Sequence, residues 1–519
     1  MELPALEYPA TMPGVIHHAA ERWGAREFIV TPDVTMTYAQ AEAASRRIAK
    51  ELLAGGVGKG TRVGIMYPYG TDWVLAWIAV TRIGALCMPF STTYQPAELR
   101  KALRLGDVDT LLVPERLLGR DHLAYMEEAV PGLAGSGPAL RVAELPYLRH
   151  IRVTGPSDRP WSTALSLAVD GGPADAAPDG VADELLAAVE AEVTPSDLFL
   201  TIYTSGTTSD PKGVVHTHGN FLRHGANLAR FQNLTEDDRI FCAMPLFWIG
   251  GVGCALNMAL ASGSAVLCLE KFDPQGALDM MEREQATGFT AFPNLAYKAR
   301  RRAEESGRDL TRIPAYAPPP PGTPTTSDFE LRHNSLGMTE TTGPFSGPGP
   351  EAARVLPEEL RGSFGLLVPH VQHRIADPVT NATLPRDQLG EICIRGYSVM
   401  AGLYKKERHE AFDEDGWYHT GDKGHIADGY LFFEGRLSEM IKTSGSNVAP
   451  REVEMALEAF PEVATAVVLG LPDVERGEVV AAVLAPRPGM ELDPADRCPC
   501  RLVRRSARRL GTRPAGAGV

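Results

Sequence analysis

Residues 201–220 read TIYTSGTTSDPKGVVHTHGN, a stretch that concentrates groups able to hold a phosphate. Thr204, Ser205, Thr207 and Thr208 offer hydroxyl donors, Gly206 and Gly213 let the backbone turn its N–H groups inward, and Lys212 adds a point charge. A strand-like TIY opens into the loop, so these donors would project from the end of a sheet. The spacing differs from a Walker A loop, because Lys212 is followed by Gly213 where that loop needs Ser or Thr. A plain Ser/Thr/Gly surface loop is the competing reading, and the length and order of the string disfavour it. Residues 55–61 (GGVGKGT) imitate a phosphate loop, but Gly60 follows Lys59, and they read as a turn from helix to strand. His17 and His18 lack a following acidic partner, and His216 and His218 have no Cys or carboxylate at metal spacing.

A loop of this kind needs a sheet to carry it. Residues 36–113 alternate helix-like text (TYAQAEAASRRIAKELLAGG) with apolar strand-like runs (RVGIMYP), and residues 197–292 do the same, with strand candidates LFLTIYT, RIFCAMP and SAVLCLE. Short strand-like pieces between Gly and Asp turns fill 390–433 (GEICIRG, GYLFFEG), and EVEMALEAF, TAVVLGL and VVAAVLA then read as helix, strand, strand. The fold class expected is α/β: a large N-terminal domain of twisted, largely parallel sheets with flanking helices and a small β-rich subdomain, then a small α+β C-terminal domain. Residues 164–195, rich in Ala, Gly, Asp and Pro, read as a surface linker, and 314–324 (PAYAPPPPGTP) as an extended segment.

Composition narrows the class further. At 519 residues the chain exceeds what one core usually serves, and 44% hydrophobic with 22% charged residues excludes collagen-like and disordered chains. A net charge of −14 argues against wrapping nucleic acid. The longest apolar run, 73–83, is shorter than the roughly 18–20 residues of a spanning helix and carries Arg82, so no transmembrane segment is expected. The first twenty residues lack a basic start followed by an apolar core, which makes the cytoplasm the expected location. Seven scattered cysteines fit reduced thiols. Residues 497–519 hold seven Arg, no acidic residue and a Cys-Pro-Cys, unlike the text before them.

The 201–220 stretch closely resembles the signature loop of the ANL superfamily of adenylate-forming enzymes, in particular the acyl-CoA synthetase type. Three more blocks follow in that family's order: 334–341 (NSLGMTET), 416–422 (GWYHTGD) and 435–454 (GRLSEMIKTSGSNVAPREVE). The resemblance implies an AMP-forming ligase that joins a small-molecule carboxylate to AMP with ATP and Mg²⁺, then passes the acyl group to CoA. It assigns Lys212, Thr339 and Glu340 to catalysis, with Glu340 as the Mg²⁺ ligand, a hard oxygen for a hard ion. Thr204, Ser205, Gly206, Thr207, Thr208 and Gly213 would hold phosphate, and Asp422 and Arg436 the ribose. Residues 1–435 would be the AMP-binding domain, 436–438 the hinge with Ser438 as pivot, 439–496 an incomplete small domain bearing the thiol-side loop from Lys442 to Gly445, and 497–519 an aberrant Arg-rich tail.

The loop 245–253 (PLFWIGGVG) corresponds to the family's acyl pocket, so Phe247, Trp248 and Gly250 are expected to touch substrate. It holds no acid to receive an amino-acid ammonium, which favours a medium- or long-chain fatty or other apolar carboxylate. Four departures stand out. Ser209 replaces a Gly, Leu336 replaces an aromatic residue, the adenine loop is not recognisable around 315–321, and no lysine follows Lys442, where the family places one that acts in adenylation. The tail reads either as coding sequence in a shifted frame or as a genuine variant. Alternative readings are therefore a catalytically impaired adenylate-binding homologue, and acyl transfer to the pantetheine of an acyl carrier protein.

Overall fold

The computed structural model describes residues 3–170, 181–204, 211–316, 331–332, 334–351, 355–437, 441–443, 446–448, 450–458, 460–473, 477–488 and 490. They fall into two compact units: Met1–Arg361 with Gly365–Gln372 and Arg395–Glu414, and Gly362–Phe364 with His373–Ile394 and Asp415–Val519.

The first unit is built on two sheets. The larger has eight strands in the order Gly402–Leu403, Lys212–Thr217, Leu198–Thr204, Leu86–Pro89, Arg62–Ile65, Thr110–Pro114, His150–Thr154, Ser162–Ala164. Leu198–Thr204 and everything after it in this order pair in parallel, and the first two strands close the edge antiparallel. Leu86–Pro89 and Thr110–Pro114 are buried at every position, as parallel strands covered on both faces must be. The smaller sheet, Gly288–Thr290, Arg239–Cys242, Ala265–Leu267, Glu27–Val30, Thr35–Thr37, is parallel except for its last pair. Thus the α/β alternation in the sequence does lay out parallel sheets.

Helix Tyr38–Ala54 shows how local chemistry sets the boundaries. Thr37 and Gln40 form a capping box, with Gln40 N–H donating to Thr37 Oγ1 at 3.2 Å and Thr37 N–H to Gln40 Oε1 at 2.8 Å. Gly55 caps the other end, and 55–61 is the expected turn into Arg62–Ile65. Helix Thr71–Arg82 is apolar nearly all round because every residue from Trp73 to Arg82 is buried. No helix among the described residues is long and apolar enough to cross a membrane.

The 164–195 segment departs from the linker expected. Residues 171–180 lie outside the described residues, but Asp183–Ala191 is a helix whose Leu186 and Glu190 are buried. The cause is Arg82, wholly buried, which needs carboxylates around it. Its Nε donates to Glu190 Oε1 at 2.6 Å, Nη1 to Ser45 Oγ at 2.8 Å and Nη2 to Glu42 Oε1 at 3.2 Å.

In the second unit, strands Tyr430–Arg436, Tyr418–Ala427, Gly390–Arg395 and Gln372–Ala376 lie side by side in that order. A four-stranded antiparallel sheet follows, Ser446–Val448, Ile441–Thr443, Gly477–Pro486, Val463–Asp473. Helix Pro450–Glu458 packs on it through Val453 and Leu457, which meet Ile441, Val463, Ala466 and Val468. Residues 452–458, 465–471 and 479–485 thus form the helix and two strands read from the sequence. The unit begins earlier in the chain than residue 436, because the strands before it pair with Tyr418–Ala427 and Tyr430–Arg436. The expected domain division and hinge remain proposals, and Ser438, Gly445 and the 497–519 tail lie outside the described residues.

Candidate active site

Strands Leu198–Thr204 and Lys212–Thr217 form an antiparallel pair in which Thr204 faces Lys212 across the ladder. Both strands are continuously buried inside, Phe199 to Tyr203 in one and Gly213 to His216 in the other, and Lys212 stands exposed at the end of the hairpin. Ser205, Gly206, Thr207 and Thr208 lie outside the described residues. Gly213 sits inside the strand and not in a turn. A Cβ there would approach Tyr404 Cβ to 2.9 Å and Thr201 Cγ2 to 3.1 Å, and its carbonyl accepts Tyr404 N–H at 2.7 Å. Its small size serves strand packing beside the loop, in place of the inward N–H turn read from the sequence.

After the hairpin, Thr217 caps helix His218–Phe231 through a box with Asn220: Thr217 N–H donates to Asn220 Oδ1 at 2.8 Å and Asn220 N–H to Thr217 Oγ1 at 3.2 Å. The other end of the Asn220 amide donates to Val399 O at 3.0 Å and to His216 Nδ1 at 3.2 Å. Nδ1 of His216 is therefore an acceptor, which leaves the ring proton on Nε2, a buried nitrogen with no hydrogen-bond partner among the described residues. Burial pushes the imidazole down to about 3, so it stays neutral.

The turn carrying the Thr339-Glu340 pair is fixed by these groups. Strands Leu336–Met338 and Gly343–Gly347 pair antiparallel, so closely at Gly337 that a Cβ would lie about 2.5 Å from Gly343 O. Between them, Thr341 Oγ1 donates to Gly343 O at 2.8 Å, Met400 N–H donates to Glu340 O at 2.8 Å, and Thr342 Oγ1 donates to Ser398 O at 2.5 Å. Thr342 has φ 63, left-handed backbone that a β-branched residue rarely adopts. Such strain persists only where neighbours over-determine it, and here it sits two residues from Glu340. Thr339 is buried, while Glu340 is half-buried and its carboxylate takes no hydrogen bond or ion pair among the described residues. A hard, unneutralised oxygen on a rigid turn fits Mg²⁺. His216, Asn220, Thr342 and Ser398 were missed by the sequence reading, although Thr217-x-x-Asn220 carries a legible capping signal.

Loop 245–253 enters a short helix, Ile249–Gly251, that continues into a π-helical stretch, Val252–Leu256. Phe247 is buried against Tyr69, and Trp248, 43% exposed, meets Phe247 and Phe292 edge-on at ring separations of 5.5 and 6.1 Å. At Gly250 a Cβ would strike the Met244 side chain. A separate cleft of about 370 Å³ between Asp273, Gln275, Lys298, Arg301, Arg302 and Glu305 holds none of these residues. Arg301 there is already paired with Glu305, and Arg302 with Gln275.

In the second unit the two expected ribose residues meet. Asp422 faces Arg436 across the antiparallel ladder, and Arg436 Nε lies 2.9 Å from the buried Asp422 Oδ1. Gly421, at φ 72, sits inside strand Tyr418–Ala427 where its register to Gly390–Arg395 shifts, and Thr420 Oγ1 accepts Asp422 N–H at 3.0 Å while donating to Ile392 O at 2.7 Å. Lys442 lies in the strand Ile441–Thr443, paired with Asn447.

The sequence profile of the AMP-binding enzymes matches residues 16–404. The chain belongs to the AMP-binding enzyme family. It is an AMP-forming acid–thiol ligase, and the family implies ATP and CoA as substrates. Its relatives include a 4-coumarate–CoA ligase of Oryza sativa, 29% identical over 88% of this chain and 81% of that protein. An indoleacetate–CoA ligase of Aromatoleum aromaticum is 28% identical over 89% of this chain and 85% of its own length. The fold is shared with the anthranilate CoA ligase AuaEII in complex with anthranoyl-AMP, at a TM-score of 0.74 and 21% identity over 98% of this chain and 92% of that one. In this AMP-binding enzyme the profile takes in the hydroxyl-rich hairpin, the Thr339-Glu340 turn and the Trp248 loop, while Asp422 and Arg436 lie beyond its end.

Proposed function

We propose that the protein is a CoA ligase for an apolar carboxylate, with a medium- or long-chain fatty acid as the leading substrate class. The observation that carries the reading is the pairing of an unneutralised Glu340, on a turn held by Thr342 and Met400, with a 245–253 loop that has no ionisable side chain and turns Trp248 outward. Aromatic edges at Phe247, Trp248 and Phe292 also suit a flat ring, and relatives named for 4-coumarate and indoleacetate support an aryl carboxylate as a second reading.

In the first half-reaction a carboxylate oxygen attacks the α-phosphorus of ATP and pyrophosphate leaves. Two anions must approach, so catalysis consists mainly of positioning and charge neutralisation. Lys212 and the 204–208 hydroxyls bind the phosphates, Thr339 donates beside them, and Glu340 would hold the Mg²⁺, which supplies charge neutralisation at the phosphates. Asp422 accepts from the ribose hydroxyls with Arg436 at its side. In the second half-reaction the thiol of CoA attacks the acyl carbon and AMP leaves, after rotation about 436–438 brings the 442–445 loop to the thiol.

No lysine occurs after Lys442, so the cation that acts in the adenylation step of the resembled family is missing from this sequence. Loss of such a group costs several kcal/mol of barrier, on the order of 2.7–4 for one oxyanion donor. This observation favours an impaired adenylate binder as the competing function. Carboxylate-dependent ATP–pyrophosphate exchange over octanoate, palmitate, 4-coumarate and indoleacetate separates the readings, run on the chain itself and on a version whose last 23 residues are replaced by a relative's lysine-bearing ending. Exchange by the chain itself supports the ligase. Silence there with exchange in the second version makes this protein a binder, and silence in both overturns the substrate class. Omitting CoA from the thioester assay, with a carrier protein supplied, tests the alternative acceptor.

A further inference from the structure

Strand Gly390–Arg395 carries Glu391 and Cys393 two residues apart, on one face of the sheet. Its antiparallel neighbour Tyr418–Ala427 sets His419 directly opposite Cys393. Three donors of different softness therefore converge. His419 Nδ1 lies 2.7 Å from Glu391 Oε2 and 3.5 Å from Cys393 Sγ, and the three ligand atoms all lie within 4.8 Å of one another. Glu391 and Cys393 are buried, whereas the His419 side chain is 33% exposed, leaving an approach from the imidazole side. One nitrogen carries at most one proton, so Nδ1 cannot donate to the carboxylate and the sulfur together.

We propose that Glu391, Cys393 and His419 form a site for a borderline-soft divalent cation, Zn²⁺, with three protein ligands and a water in the fourth position. Mixed S, N and O donors suit Zn²⁺ and disfavour Mg²⁺, so the site is chemically distinct from the one at Glu340. On binding, Cys393 releases its proton to solvent, and thiolate plus carboxylate balance the two charges of the ion. A neutral assembly is the form that tolerates this burial. Tetrahedral bond lengths put S and N about 3.5 Å apart and N and O about 3.3 Å apart. The Cys393–His419 spacing thus already matches, and the Glu391 carboxylate need only swing away from the imidazole by about 0.6 Å. Its other oxygen, Oε1, accepts the Gly421 N–H at 3.0 Å, which orients the ligand from behind.

The test uses the full chain with Cys498→Ser and Cys500→Ser, which removes the thiol pair of the tail. Co²⁺ is titrated anaerobically as a spectroscopic stand-in. The expected result is one Co²⁺ per chain, a thiolate-to-cobalt charge-transfer band in the near ultraviolet, and its displacement by one equivalent of Zn²⁺. Cys393→Ser should abolish the band. Should that variant not fold, His419→Gln, at a partly exposed position, should weaken Zn²⁺ at least tenfold in chelator competition. Absence of the band, its survival in Cys393→Ser, or unchanged Zn²⁺ affinity in His419→Gln overturns the site.

Discussion

Thr342 offers the sharpest test of how the active-site turn is held. Its left-handed backbone (φ 63, ψ 24) costs about 1–3 kcal/mol for a residue with a Cβ. The compensation is one buried hydrogen bond from Oγ1 to Ser398 O at 2.5 Å. Leaving that carbonyl without its donor costs about 1–3 kcal/mol. Thr342→Val keeps the shape and the strain but loses the bond, so a loss of about 2 kcal/mol is expected. That corresponds to a fall in Tm on the order of 2–5 °C. Thr342→Gly loses the same bond yet relieves the strain, and the two terms nearly cancel, leaving Tm within about 1–2 °C of the parent. Both variants untie the turn that carries Glu340 from Ser398, so MgATP affinity measured by titration calorimetry should fall about tenfold in each, uncoupled from Tm in the Gly variant. A Val variant as stable as the parent, or a Gly variant with full MgATP affinity, would refute the anchoring argument.

Lys212→Ala and Glu340→Ala are each expected to lower acyl-AMP formation at least tenfold in single-turnover assays, and unchanged rates would remove both from the site. Trp248→Ala should change the preference among carboxylates in a competition assay more than it changes the KM for ATP; an unaltered profile makes Trp248 a packing residue. If Asp422 holds the ribose hydroxyls, Asp422→Ala should erase most of the discrimination between ATP and 2′-deoxy-ATP, and retained discrimination would assign that role elsewhere. Burial lowers His216 and His218 to about 3 and His224 to about 4, whereas the unfolded chain titrates near 6.5. Their contribution to stability is complete above about pH 6.5 and is lost as pH falls through about 4 for His224 and about 3 for His216 and His218, with a slope of up to about 4 kcal/mol per pH unit for three protons. A urea midpoint that stays flat from pH 7 to 4.5 would contradict this.

Much of the scaffold was legible because its signals are local. LFLTIYT is an apolar run of the kind a strand covered on both faces shows, the 38–54 helix begins at a readable capping box, the alternation of helix-like and strand-like text implied the parallel sheets, and the order of four motif blocks implied the family. Asp422 and Arg436, assigned to one sugar through the resemblance, prove to be cross-strand neighbours. The 164–195 segment misled because its composition conceals a single carboxylate, Glu190, that the buried Arg82 requires from 108 positions away. Likewise, His216 was dismissed for want of a partner at short spacing, yet its ring lies 3.3 Å from Thr342 Oγ1, 126 residues on. Composition, periodicity and motif order thus determined the class of the protein and which elements form. Only the tertiary structure decided what holds Glu340, where Gly213 works, and that Glu391, Cys393 and His419 converge. Side-chain spacing along a chain specifies the face of an element, whereas the partner that face meets depends on which distant strand lies beside it and in what register.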